Sequence, residues 1–220
     1  MSTSTLDRAR TTSAANRERR VTAVLFLVGG LLMAAGGQQH PVGTGSTVEA
    51  HLLSMFDSPR WNLAHLLLLI GGVVNLLAFV CAWRTSAFGP RVQRWLPAAI
   101  IGWGFGAVEL LPHLLAASEA EAFAHHGSTP VIDLHVVLQV IASPAVGLTG
   151  ALVAVAVARS SGTWPARLLA ALAVVGGVLS AAAGPLVVFT GDPRWTVLFP
   201  FQAGLASWLV GTGIRLLRRC

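Results

Sequence analysis

Histidine and one buried carboxylate are the residues of this 220-residue chain best suited to chemistry: His40, His51, His65, His113, His125, His126, His135 and Glu109. Imidazole titrates near neutrality and is a common ligand for zinc, copper and iron. It is also an axial ligand for haem. Glu109 is four residues before His113, and Gln139 is four after His135, so each pair shares a helical face. Glu109 stands inside a long apolar stretch. A carboxylate there is costly unless it is paired, protonated or bound to a cation, which makes it a candidate functional group.

The elements that must position these residues are membrane spans. The chain is 54% hydrophobic and 11% charged, with a mean hydropathy of +0.69. Soluble domains are nearer one-quarter charged. A soluble globule, a disordered chain and a disulfide-stapled secreted module are therefore excluded. Six nearly charge-free stretches, about 21–39, 61–83, 96–117, 132–158, 166–190 and 195–217, meet the ~20 residues a spanning helix needs. Lipid cannot satisfy exposed backbone groups, and the alternation of a barrel strand is absent, so helices are expected. The predicted fold is an all-α, integral membrane six-helix bundle. It forms one transmembrane domain over 21–220, behind an Arg-rich tail at 1–20 that lacks order.

Every basic residue is arginine. With the N-terminus in the cytoplasm, 13 of the 15 arginines fall on the inner side, leaving only Arg60 and Arg194 outside. The positive-inside rule then gives a multi-pass plasma-membrane protein with both termini cytoplasmic. The basic excess records this topology and calls for no nucleic acid, although the tail can touch anionic lipid. Residues 1–37 have the outline of a signal peptide, but the apolar run favours a retained first helix. Cys81 and Cys220 both face the reducing side, so no disulfide is expected. The Arg-, Ala- and Gly-rich composition suggests a high-GC bacterium.

Between spans, Ser46-Thr47-Val48-Glu49 has capping-box spacing and introduces a short outer surface helix near 47–56. Residues 118–131 form a second outer connection with room for a helical turn. Val28-Gly29-Gly30-Leu31-Leu32 in the first span is echoed by Val175-Gly176-Gly177-Val178-Leu179 in the fifth. Asp57-Ser58-Pro59-Arg60-Trp61 is echoed by Asp192-Pro193-Arg194-Trp195. Three stacked hairpins would give such a pattern, as would the ordinary preference of membrane spans for glycine and of their ends for tryptophan.

Arginine placement also supplies a depth scale, on which all seven histidines lie outside or in the outer leaflet. His40, His65, His113 and His135 belong to four different spans at similar depth. Three chemistries suit such a set. One is a transition-metal site, for zinc, copper or iron, with His40, His65, Glu109, His113 and His135 as ligands and Gln139 orienting one of them. Another is haem b held by His65 and His135 as axial ligands. The third is acid–base chemistry by Glu109 and His113. The leading expectation is a metal- or haem-dependent redox or electron-transfer protein, with a redox partner or lipid-soluble substrate. The alternatives are a cofactor-free enzyme acting on a lipid or isoprenoid with Glu109 as acid/base, and a small permease or accessory subunit. No His-x-x-x-His, Cys-x-x-Cys-His or His-Glu-x-x-His motif is present. Gly102-Trp103-Gly104-Phe105-Gly106 lies within a span and reads as helix packing, and Ser143 before Pro144 as a kink. His51, His125 and His126 lie in connections, where imidazole carries no special implication. The shared site requires the four imidazoles to meet within about 10 Å, one helix diameter.

Overall fold

The computed structural model describes residues 3–219, with side chains from residue 16 onward. The side chains of Asp7, Arg8 and Arg10, and Cys220, lie outside the described residues. The described chain is all-helical, with six helices long and apolar enough to cross a membrane: Asn16–Gln39, Trp61–Arg84, Leu96–Ala124, Pro130–Ser161, Trp164–Thr190 and Pro193–Leu217. In finer detail the elements are α1 (Thr3–Gln39), α2 (Val48–Phe56), α3 (Trp61–Arg84), α4 (Pro90–Gln93), α5 (Leu96–Leu115), α6 (Ala120–Ala124), α7 (Pro130–Ser161), α8 (Trp164–Thr190) and α9 (Ala203–Leu217). Two 3-10 segments, Ala116–Glu119 and Pro193–Gln202, join them.

Three local features differ from the sequence reading. The backbone is helical from Thr3, within the tail expected to lack order. Once the apolar part of α1 has nucleated a helix, each added residue gains a hydrogen bond at small cost. The surface helix α2 is capped by Thr47, whose hydroxyl accepts from Ala50 N, and not by Ser46. Glu49 instead reaches His126, 3.8 Å away. The sixth span begins as a ten-residue 3-10 segment and becomes α-helical only at Ala203. Pro193 and Pro200 lack the N–H groups that a regular α-helical ladder requires.

The spans pack in chain order, α1 on α3, α3 on α5, α5 on α7, α7 on α8 and α8 on α9, and α9 returns to α1. The three expected hairpins are thus merged into a ring. Its interior holds Phe26, Phe79, Trp103 and Trp208, all buried. Phe79 is the hub, 5.1 Å from Phe26, 5.6 Å from Trp103 and 6.3 Å from Trp208 between ring centroids. The antiparallel run of the spans leaves one end of the ring rich in arginine and the other rich in histidine. Over the histidine end, α2 and α6 form a cover in which Met55, Phe56, Trp61, Ala116 and Ile132 are buried together.

Glycines set the closest helix contacts. A Cβ on Gly147 of α7 would strike the Gly177 carbonyl of α8, and one on Gly177 would strike the Gly147 carbonyl. The two repeated glycine pairs do comparable work. Gly29 faces Asn75 of the following span and Gly30 faces Leu209 and Val210 of α9. Gly176 faces Phe201 and Gly204 of the following span, and Gly177 faces α7. In each pair the first glycine meets the next span and the second meets the neighbour on the other side. Substituting Gly147→Leu should therefore separate α7 from α8 and destabilise the protein by about 1–3 kcal/mol. Gly104→Ala, whose Cβ meets nothing within 4 Å, should be neutral or stabilising by up to about 1 kcal/mol. Thermal unfolding of the two variants in detergent checks the contrast.

Candidate metal centre

The site is built at the histidine end by residues one or two turns from helix termini. His40 follows the last residue of α1, His65 is in the second turn of α3, His113 in the last turn of α5 and His135 in the second turn of α7. Their rings form a continuous row of contacts, edge-to-face between His40 and His65 and tilted in the other two pairs. Centroids are 4.8 Å apart for His40 and His65, 4.3 Å for His65 and His113, and 4.0 Å for His113 and His135. The four spans thus bring together all four histidines that depth singled out. Glu109 joins them, with Oε1 2.7 Å from His135 Nδ1 and 3.1 Å from His113 Nδ1. His65, Glu109 and His135 are buried.

Each imidazole is held by its Nδ1. In His65 that atom is 2.7 Å from the Trp61 carbonyl, and in His40 it is 3.0 Å from the Pro41 carbonyl. A carbonyl only accepts, so in both rings Nδ1 carries the proton and Nε2 carries the lone pair. With Glu109 ionised, its oxygen can only accept, which gives His113 and His135 the same assignment. This is the pattern of metal-ligating histidine, in which one ring nitrogen donates to a carbonyl or carboxylate and the other is left to coordinate. His65 Nε2 is buried and has no hydrogen-bond partner among the described residues. Two sets present ligand atoms within 4.8 Å of one another: His40, His65 and His113, and Glu109, His113 and His135. His113 is common to both.

The expected axial pair, His65 and His135, has the His113 ring beside it, with centroids 4.3 Å from His65 and 4.0 Å from His135. Gln139 is half-buried on α7 and packs against Gly184 of α8. Its side chain makes no hydrogen bond among the described residues, so the orienting role expected of it falls to the Trp61 and Pro41 carbonyls and to Glu109. His51 Nε2 lies 3.4 Å from the Thr196 hydroxyl, His125 Nδ1 bonds the Glu121 carbonyl, and His126 is exposed. None of the three belongs to the row.

Two residues that sequence reasoning missed hold the site in place. Trp61, expected only as an interfacial anchor, lies 3.9 Å from the His65 ring centroid and 5.6 Å from that of His113. Its Nε1 donates to the Leu114 carbonyl, one of the carbonyls that the end of α5 leaves without a helical partner. Glu119, from the 3-10 segment, accepts from Val131 N and Ile132 N through Oε2. It thereby caps α7, the helix that carries His135, where a negative charge is favoured. The Trp61 signal was present as one helical turn between Trp61 and His65. The Glu119 signal was not, because the cap crosses from one element to another.

Comparison with protein-family models, curated proteins and solved structures found no match to this chain. The fold and its apolar helices define a polytopic membrane protein, and its histidine and glutamate groups form an arrangement able to hold a metal ion.

The shared carboxylate sets the stability of the cluster. Glu109→Ala removes the acceptor of two buried imidazole N–H groups, each costing about 1–3 kcal/mol when unsatisfied. Glu109→Gln keeps a carbonyl oxygen at that place and should lose less than half as much. Unfolding of the metal-free protein in detergent should show this order, Ala well below Gln.

Proposed function

We propose that this polytopic membrane protein binds one transition-metal ion at the histidine end of the bundle. His40, His65, His113 and His135 offer Nε2 lone pairs, and Glu109 orients two of the rings and balances the charge of the ion. The observation that carries this reading is His65 Nε2, a buried nitrogen without a partner among the described residues, in a group where His40, His65 and His113 offer ligand atoms within 4.8 Å of one another. Buried polar atoms are seldom left unpaired, and a bound ion is one explanation for an exception. Of the four such atoms among the described residues, only His65 Nε2 lies in a group of possible metal ligands. Electrostatics supports the same reading. Four neutral imidazoles and one ionised carboxylate carry a net negative charge in a low-dielectric setting, which a bound cation relieves. An all-nitrogen set suits zinc or copper. The redox role expected from the sequence rests on copper or iron being the ion, since zinc does not change oxidation state. The distribution of arginines favours the cytoplasm for the arginine end, with the metal site toward the outer face.

A second reading draws on the 2.7 Å contact between Glu109 and His135. A carboxylate shared by two imidazoles can pass a proton between them, which suits the cofactor-free enzyme acting on a membrane lipid.

Elemental analysis of protein purified without a histidine tag separates the readings. The metal reading expects about one zinc or copper per chain, lost in His65→Ala and in His113→Ala, and kept in His126→Ala. Because the ion competes with protons for the imidazole lone pairs, occupancy should fall as the pH drops below the histidine range. A protein that is metal-free as isolated and takes up neither ion on reconstitution would refute it.

A further inference from the structure

The opposite end of the bundle carries a second site, unrelated to the histidines. Two recesses of about 550 and 610 Å³ lie on either side of Arg159. The first is bounded by α4 and α7 and receives Arg91, Arg94 and Arg159 with Trp95. The second is bounded by α7 and α8 and receives Arg159 and Arg167. No acidic residue lines either recess, and none of these four arginines is in a salt bridge among the described residues.

The arginines are placed by fixed backbone and are not scattered over a loose loop. Helix α4 starts after Gly89, whose φ of +81° is open to glycine. Val92, fully buried, pins α4 to the core, and the Gln93 side-chain amide donates to the Trp83 carbonyl at the end of α3. Arg91 and Arg94 are thereby turned outward. The Arg94 guanidinium also rests over the Trp95 ring, 5.1 Å from its centroid. Arg159 and Arg167 flank the tight α7–α8 turn at Gly162, which adopts a left-handed conformation. Toward the middle of the bundle the recesses continue as an apolar surface of Leu152, Val155, Val174 and Val175.

We infer that this end binds an anionic phospholipid bearing two phosphates, seated between α4, α7 and α8. One phosphate would meet Arg91, Arg94 and Arg159, and the other Arg159 and Arg167, with acyl chains along the apolar wall. Guanidinium is the side chain best matched to phosphate, through paired N–H donors. Four guanidiniums without a salt-bridge partner among the described residues, split between two adjoining recesses, match two phosphates better than one. The depth is also right, because basic recesses between spans lie where headgroups lie. A soluble diphosphate has the same charge but no use for the apolar wall.

Native mass spectrometry of the full-length protein in detergent, titrated with cardiolipin, tests the assignment. Phosphatidylglycerol, phosphatidylcholine and inorganic pyrophosphate serve as comparison probes. Cardiolipin should be retained about tenfold or more over phosphatidylcholine, in a salt-sensitive manner. Arg159→Gln, at the residue common to both recesses, should weaken retention roughly fivefold. The fourfold change Arg91→Gln, Arg94→Gln, Arg159→Gln and Arg167→Gln should abolish the preference. The same four positions changed to Lys should keep most of it, and Arg60→Gln with Arg194→Gln should leave it intact. Equal retention of cardiolipin and phosphatidylcholine would overturn the proposal, as would a preference that survives the fourfold Gln change. Phosphatidylglycerol binding as tightly as cardiolipin would overturn the two-phosphate assignment. Displacement of cardiolipin by an equal concentration of pyrophosphate would give the site to a soluble anion instead.

Discussion

One carboxylate oxygen, Glu109 Oε1, lies against two imidazoles inside the bundle. A charge in a membrane span must be answered locally, since neither water nor lipid will answer it. That requirement fixes α5 against α7 and sets the tautomers of His113 and His135. The rings of His65 and His40 are fixed separately, by the Trp61 and Pro41 carbonyls. The four-ring row follows from one acid at one end and two backbone carbonyls at the other.

Such a polar cluster needs a tightly closed surround. Glycine contacts supply part of it: Gly147 and Gly177 let α7 and α8 approach backbone to backbone, and Gly29 and Gly71 do the same for α1 and α3. Association in lipid gains little from the hydrophobic effect, so close packing of small residues carries more of the burden. The cover formed by α2 and α6 supplies the rest. Phe56 packs edge-on to Trp61 at 4.8 Å, and Trp61 in turn forms a wall of the histidine row.

The two ends of the ring have become chemically distinct. One end gathers neutral imidazoles around a single acid, which suits a cation. The other gathers guanidiniums in recesses that no acidic residue lines among the described residues, which suits phosphate. Asp192 and Arg194 at the histidine end answer each other at 2.7 Å, and the hydrogen bonds from Arg194 hold the Asp192 carboxyl below its ordinary range. The arginines at the other end have no such partner among the described residues. The core between the two ends is aromatic and apolar.

The sequence by itself determined depth. Hydropathy sets where each helix enters and leaves the membrane, and arginine placement sorts the ends, so His40, His65, His113 and His135 could be assigned to one layer together with Glu109. It could not determine facing. Helices such as α3 and α7 are apolar nearly all round, so their periodicity does not say which side meets which neighbour. Tertiary structure decided that all four rings meet and that His113 touches both His65 and His135. It also decided that Gln139 turns to Gly184, that Trp61 supports His65, and that Glu119 caps α7 across a loop. Depth is a one-dimensional property that each residue carries in its own transfer energy. Rotation about a helix axis is set by which glycines, rings and carbonyls fit together, and that fit exists only once the helices have met.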